Sequence, residues 1–340
     1  MEVAFPVAGP EISIIVPVYK GVRFLREALD SVRAQTFADW ECVCVDDGSK
    51  DGSGAVLDEI AAGEPRIRVF HRENGGTSVA RNFAMGQVRG RYVAFLDEDD
   101  AYHPRMLETL HAAAERTRAD VTGCEFQKFD ESGHPVWSPE IPDESKWQVA
   151  DRARLADWIS RYYDGVPFEV WRNLYRRETV AGHDFPIGVR VEQDLYWQYT
   201  LLPRVSSYVR IPWAGYAWRM NRSSGGFLHP DPESLISLVR TDLTVFNAVA
   251  GGLDPAKGQR ARLAERMSEF LFHCLWRPLH DGVRMDRDQV RRLRDGLKAL
   301  QGTGVGLAGQ LPFGKRLRWN LALLTGDMRW MRSRKGGDST

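Results

Sequence analysis

Two carboxylates, Asp97 and Asp99, close the run YVAFLDEDD, in which a hydrophobic strand leads straight into a D-x-D pair. A strand end presenting two close carboxylates can grip a divalent ion beneath a diphosphate, because a hard cation takes oxygen ligands. For such a pair standing alone, a solvated acidic loop is the plain alternative. Earlier in the chain, WECVCVDDGS ends in Asp46 and Asp47 before a Gly-Ser turn, and ENGG sets Asn74 ahead of Gly75 and Gly76. The glycine pair is not a Walker-type phosphate loop. It suits close backbone approach and a helix start.

Such residues need strands to aim them. ISIIVPVY reads as an apolar strand from Ile12 to Tyr19, followed by strands at WECVCVDD, IRVFH, RYVAFLD and ADVTGCEF. Helical patterns lie between them; Leu25, Ala28, Leu29 and Val32, for instance, share one helix face. This short alternation predicts an α/β unit with a mostly parallel central sheet flanked by helices. In such sheets ligands sit beyond the carboxyl ends of the strands. Asp46, Asp47, Asn74 and Asp97 to Asp100 all fall at or just past those ends, so one crevice could collect them.

Past residue 130 the rhythm breaks. ESGHPVWSPEIPDESKWQ reads as loop, a helix runs through Leu155, Trp158 and Ile159, and VWRNLYRRE reads as a short strand leading into a helix. A further helix spans Glu192 to Leu202, and residues 206–219 read as a short strand with aromatic-rich turns. From Pro232 the pattern is helical, including Leu263 to Trp276 and Val290 to Leu300. The expected organisation is a catalytic domain over residues 1–230, with a nucleotide half at 11–130 and an acceptor half at 131–230, and a helical C-terminal region at 231–340.

A length of 340 residues suffices for one sizeable catalytic domain plus an appendage. A formal net charge of zero speaks against a nucleic-acid partner. The charge is uneven, however: KRLRWNLALLTGDMRWMRSRKG carries seven Lys or Arg against one acid. Such a stretch, from Phe313 to Arg334, could lie on an anionic bilayer surface or pack as a helix with a solvated basic face. Cys42, Cys44, Cys124 and Cys274 show no CxxC spacing, a reduced, cytoplasmic pattern. No signal peptide is read at the N-terminus, and no window of eighteen apolar residues predicts a spanning helix.

Four segments in order resemble glycosyltransferase family 2, whose members have the GT-A fold: IIVPVY; SVRAQTFADWECVCVDDGSKDGS; ENGGTSVARNFAMGQVRGRYVAFLDEDD; and VWRNLYRRE with VEQDLYW. The resemblance covers residues 11–130 and 165–225 and does not reach the C-terminal hundred. It implies a nucleotide-diphospho-sugar transferase acting with inversion, with a UDP-sugar donor and Mn²⁺ or Mg²⁺. The implied acceptor is a saccharide or polyprenyl-linked saccharide in surface polysaccharide synthesis, at the inner face of the membrane.

Residue by residue, Asp47 matches the aspartate that contacts the base, where a carboxylate suits the imide N–H of uracil. Pro17 and Tyr19 match the residues that bracket the uracil ring. Arg81 would supply charge to the diphosphate and Asn74 a hydrogen bond. Asp99 would ligate the metal, with Asp97 reaching the ribose or a metal-bound water. Asp194 matches the general base, which must take the acceptor hydroxyl's proton as attack occurs. The sequence departs from the family at Gln193, where Glu is usual; Glu192 stands one residue earlier. Asp100 is expected to cap the next helix. Trp171, Asn173, Tyr175, Trp197, Trp213 and Trp218 are open to either acceptor stacking or plain packing. In WRMNRSSGG, Arg219 or Arg222 could face the diphosphate from a mobile loop, or belong to an ordinary surface one.

Two other readings stay open. A nucleotidyl transferase of related fold would want a Gly- and basic-rich loop after the first strand, of which KGVRF is a poor version. A nucleotide- or carbohydrate-binding protein that has lost the chemistry gains some weight from Gln193.

Overall fold

The computed structural model describes residues 9–162, 169–189, 191–220, 232–280 and 285–301. Arg222 and the basic stretch from Phe313 to Arg334 lie outside them.

The chain alternates β1 (Ile12–Val18), α1 (Leu25–Arg33), β2 (Trp40–Asp46), α2 (Ser53–Gly63), β3 (Ile67–His71), α3 (Thr77–Met85) and β4 (Tyr92–Phe95). A two-residue β5 (Ala101–Tyr102), α4 (Met106–Thr117) and the long β6 (Val121–Asp130) come next. After a loop come β7 (Gln148–Ala150), α5 (Arg152–Ser160), β8 (Asn173–Arg176), α6 (Arg177–Val180), α7 (Gln193–Leu201) and β9 (Tyr208–Met220). The last described elements are α8 (Pro232–Ala250), α9 (Gln259–His280) and α10 (Arg287–Gln301).

One sheet orders its strands β3-β2-β1-β4-β8-β6-β9-β5, with β7 paired to β9. The first four strands are parallel, and so is the long β6–β9 pairing. The antiparallel pairings of β8, β5 and β7 are short, two or three residue pairs each. The sheet is thus mixed and mostly parallel, in a GT-A-like α/β arrangement. Every residue of β1, β2 and β4 is buried, as expected of strands covered by helices on both faces. On α1 the buried residues are Leu25, Ala28, Leu29 and Val32, the predicted stripe.

One expectation is corrected. Residues read as a short strand with aromatic turns form the 13-residue β9. Register shifts against β6 between Cys124 and Phe126 break its in–out alternation, which hides a strand from periodicity.

The chain divides into two compact units. The first comprises residues 1–155, 167–187 and 204–224 and contains the whole sheet. The second comprises 156–166, 188–203 and 225–340; in it α7 packs on α8, and α8 on α9 and α10. Among the described residues no helix is long and apolar enough to cross a membrane.

Candidate active site

Parallel strands β1, β2 and β4 deliver their carboxyl ends side by side. The Asp47 amide donates to the Val18 carbonyl at 2.9 Å and the Leu96 amide to the Ile15 carbonyl at 3.0 Å, tying the three exits together. Pro17 lies in β1 opposite Val45, and Tyr19 just beyond it is 43% exposed, a ring open to a ligand face.

Asp47 is buried, and its two carboxylate oxygens accept the amides of Gly75 (2.9 Å) and Gly76 (2.7 Å). A carboxylate has about four acceptor directions, so a further donor such as a base N–H can still be received. Asn74 donates its side-chain amide to the Asp47 carbonyl at 2.9 Å. In this structure Asn74 therefore helps hold the turn. Gly48 sits at φ +75°, and a Cβ there would stand 2.8 Å from the Asn74 amide nitrogen, so both conformation and space require glycine.

Arg81 is buried in α3 and donates to Asp97 Oδ1 at 2.8 Å, with its guanidinium 5.1 Å from the Phe185 ring. The charge expected on the diphosphate is thus engaged first with a candidate metal ligand, whose side chain stays 27% exposed. Asp97, Glu98 and Asp99 are partly exposed, and Asp100 is buried at 1% exposure. Burial, then the charges of Asp97 and Asp99, push the Glu98 carboxyl up to about 8. The same causes raise Asp100 well above the usual carboxylate range. Four acids crowded at one strand end, two open and two forced toward neutrality, are a donor set that fits a hard divalent cation.

Asp100 does not cap α4. It accepts the Tyr216 hydroxyl (2.7 Å) and the Arg219 amide (2.7 Å), while the Asp97 amide donates to the Tyr216 hydroxyl at 3.3 Å. Arg219 corrects another expectation. It is 2% exposed, in β9 rather than a surface loop, and is engaged with protein groups: Nε donates to the Asp99 carbonyl (2.7 Å), Nη1 to the Glu131 carbonyl (3.1 Å), and Nη2 pairs with Glu27. Its guanidinium also lies 4.4 Å from the Phe24 ring and 4.3 Å from that of Phe129. Sequence reading missed Tyr216 altogether. Its only signal was its place in the aromatic run of β9.

Most of the candidate aromatics pack. Trp171 stacks on Tyr216 at 4.2 Å, Tyr175 meets Phe95 edge-on at 5.9 Å, and Trp213 meets His103 at 4.6 Å. Asn173 is buried, donating to the Glu169 carbonyl and accepting the Tyr208 hydroxyl. Trp197 is fully buried in α7. Trp218 alone of the set keeps open surface, with Lys128 Nζ 5.0 Å from its ring centre.

Asp194 belongs to the second unit, in the first turn of α7 and partly exposed. Glu192 precedes the helix at φ +60°, and Gln193 donates to the Val189 carbonyl at 2.7 Å, so the residue at the family's Glu position closes its own helix start.

Two clusters elsewhere do not compete with this site. Glu11, His111 and Glu115 bring ligating atoms within 4.8 Å of one another, but Arg91 bonds both glutamates and supplies the positive charge there. A cavity of about 920 Å³, lined by Glu11, Arg89, Arg91 and Arg177 among others, shares no residue with the strand-end acids.

The model of the family described as glycosyl transferase family 2 matches residues 13–177, which hold every strand-end acid above. Those residues are thus similar to a glycosyl transferase family 2 domain. The chain is 35% identical over 218 residues to the uncharacterized glycosyltransferase EpsJ of Bacillus subtilis, covering 63% of this chain and 62% of that one. It is 29% identical over 217 residues to the glycosyltransferase GlyA of Streptococcus pneumoniae, covering 63% and 31%. The matches thus span less than two thirds of these relatives. Among solved structures, S. aureus TarS 1-349 in complex with UDP-GlcNAc superposes with a TM-score of 0.72 at 18% identity, over 95% of this chain and 89% of that one. The mannosyltransferase PcManGT from Pyrobaculum calidifontis, in complex with GDP-Man and Mn²⁺, gives 0.53 at 15% identity over 96% and 86%. At such identities the likeness is one of fold.

Proposed function

We propose that this chain is an inverting glycosyltransferase that moves a sugar from a UDP-sugar to a hydroxyl of a saccharide or polyprenyl-linked saccharide. The observation that carries the reading is that Asp47 and the Asp97–Asp99 pair lie just past the ends of the parallel strands β2 and β4, on either side of β1, within a segment that matches the family 2 model. Asp47 receives the uracil imide N–H, and Pro17 and Tyr19 flank the ring. A structural neighbour of this fold holds UDP-GlcNAc, which supports a uridine donor. Asp99 and Asp97 would hold Mn²⁺ or Mg²⁺, as another neighbour carries Mn²⁺. When bound, the ion offsets charge on the departing diphosphate. Arg81 orients Asp97. Asp194 removes the acceptor hydroxyl's proton, which needs position more than a displaced pKa. Trp218 is the aromatic surface best suited to the acceptor sugar, since its ring stays open. We place the enzyme in the cytoplasm, working on acceptors of surface polysaccharide assembly, with residues 231–340 as a helical appendage.

The test is release of UDP from a panel of nucleotide sugars in Mn²⁺ by the full chain. Turnover should fall at least a hundredfold, an order-of-magnitude expectation, in Asp99→Ala and in Asp194→Ala. Asp194→Ala should keep UDP affinity, whereas Asp99→Ala should lose metal-dependent affinity. Wild-type turnover in both variants would sink the mechanism. Pyrophosphate release from UTP and a sugar 1-phosphate, with no UDP released from any nucleotide sugar, would favour the nucleotidyl transferase.

A further inference from the structure

At the end of β2, next to the proposed base contact, Asp46 is buried and fully engaged. Its Oδ1 accepts the Ser49 amide at 3.0 Å, and its Oδ2 faces His71 Nδ1 at 3.1 Å. On the other side of the ring, Nε2 faces Asp58 Oδ1 of α2 at 3.0 Å. Gly54, at the start of α2, makes room for this: a Cβ there would lie 2.9 Å from Asp46 Oδ2 and 3.3 Å from His71 Cε1. The line continues toward the ligand face. Ser49 Oγ accepts the Lys20 amide at 3.1 Å, directly after Tyr19, and Lys20 holds a left-handed φ of +59°. One chain of contacts thus runs Asp58, His71, Asp46, Ser49, Lys20. It fixes the turn that carries Asp47, which His71 reaches through Asp46, and the segment that carries Tyr19, which it reaches through Ser49.

We propose that His71 is a positioning residue for the donor nucleotide, clamping the turn of residues 46–51 and, through Ser49, the Tyr19–Lys20 segment into the shape that receives the base. This rests on the reading of Asp47 as the base contact. The clamp holds best when both ring nitrogens carry protons, because each then donates to a carboxylate. The Asp46 bond first and the Asp58 bond next raise the imidazole's pKa above its ordinary value. The charges facing the ring are Asp46 from β2 and Asp58 from α2. On its own strand's exit, Arg72 lies over Phe83 at 4.5 Å, and β3 is the edge of the sheet. Loss of the proton turns one donor into an acceptor opposed to a carboxylate, and the turn loosens.

The test is calorimetric titration of the full chain with UDP in Mn²⁺. His71→Ala should weaken UDP about tenfold near neutral pH, the worth of one charge-assisted bond lost from the turn. His71→Asn, whose Nδ2 can still donate to Asp46, should stay within about threefold. Wild-type affinity should fall as the pH rises from about 6.5 to about 8.5, and His71→Asn should not share that fall. Should His71→Ala fail to fold, Asp58→Ala replaces it, with Asp58 62% exposed and a smaller but measurable weakening expected. Wild-type affinity in the substituted chain at both pH values overturns the proposal. A wild type that binds no UDP removes the reading of Asp47 itself, and the proposal with it; the two failures are told apart by which protein shows them.

Discussion

The turn after β2 is held within the first 76 residues, whereas the turn after β4 is held both by Arg81 nearby and, from far along the chain, by Tyr216 and Arg219. In the first, Asp46 accepts Ser49, Asp51 accepts Ser53, and Asn74, Gly75 and Gly76 lie 27 to 29 residues from Asp47. In the second, Arg219 reaches Asp99 across 120 residues and Tyr216 reaches Asp100 across 116. The first gives its ligand a carboxylate already bonded to fixed amides. The second gathers four acids: Arg81 pairs with Asp97, and burial together with the charges of Asp97 and Asp99 displaces the Glu98 and Asp100 carboxyls upward. A turn shaped by backbone amides can be built locally, but a crowd of acids needs counter-charge, which Arg81 brings to Asp97, and fixed backbone, which Arg219 provides at Asp99.

The largest expected effect breaks the second turn. Arg219→Ala leaves the Asp99, Glu131 and Gly133 carbonyls without this donor and Glu27 facing only His134. The cost should be about 3–5 kcal/mol, as for other buried charges removed from their partners. Denaturant unfolding measures it, and a loss below about 1 kcal/mol would show that the acids are held by something else. Gly48→Ala breaks the first turn. A left-handed φ and a Cβ 2.8 Å from a backbone nitrogen should together cost about 2–3 kcal/mol. That loss should appear with weakened UDP binding, while the response of the second turn to Mn²⁺ survives. Tyr216→Phe sharpens the contrast. The buried hydroxyl donates to Asp100 and accepts from Asp97, so its removal should cost about 1–2 kcal/mol and lower metal affinity more than UDP affinity in metal-free buffer. Equal losses in both would mean that the two turns are one mechanical unit.

This difference also marks what could be read from the sequence. The apolar runs of β1, β2 and β4, the stripe of α1 and the acids at the strand exits all follow from periods of a few residues, and the structure places them as read. Asp47 with its glycine pair is a short motif, so its local contacts were within reach. Arg219 was read from its nearness to a Gly-rich stretch, which pointed to the diphosphate. Its true partners are contributed by α1, the acidic turn and the loop after β6, and no spacing rule links those. Asp100 looked like a helix cap because α4 begins nearby, but a hydroxyl on β9 claims it. β9 itself was broken into turns by Pro212, Gly215 and the register shifts opposite Cys124 to Phe126, which destroy a period of two. The insertion of β8 between β4 and β6 is equally silent in sequence, since it depends on which edge was left unpaired.

The smallest effect separates the turns by the chemistry of their supports. The grip of Arg219 on the acidic turn runs through backbone carbonyls, which do not titrate. The support of the first turn does, through His71. Its folded pKa is raised above the ordinary 6.5, so below that value both folded and unfolded imidazoles are protonated and the contribution is complete. As the pH climbs past it, the unfolded chain gives up its proton first, and the contribution declines until the folded imidazole has also lost its own. The ring is 48% exposed, which screens the pair and keeps the effect small. Thermal melting should put the wild type about 1–2 °C above His71→Asn near pH 6, with the gap closing near pH 8.5. The deficit of Arg219→Ala should persist at both values. A gap for His71→Asn that widens with pH would reverse the sign of the linkage and assign the Asp46–His71 contact to the neutral ring.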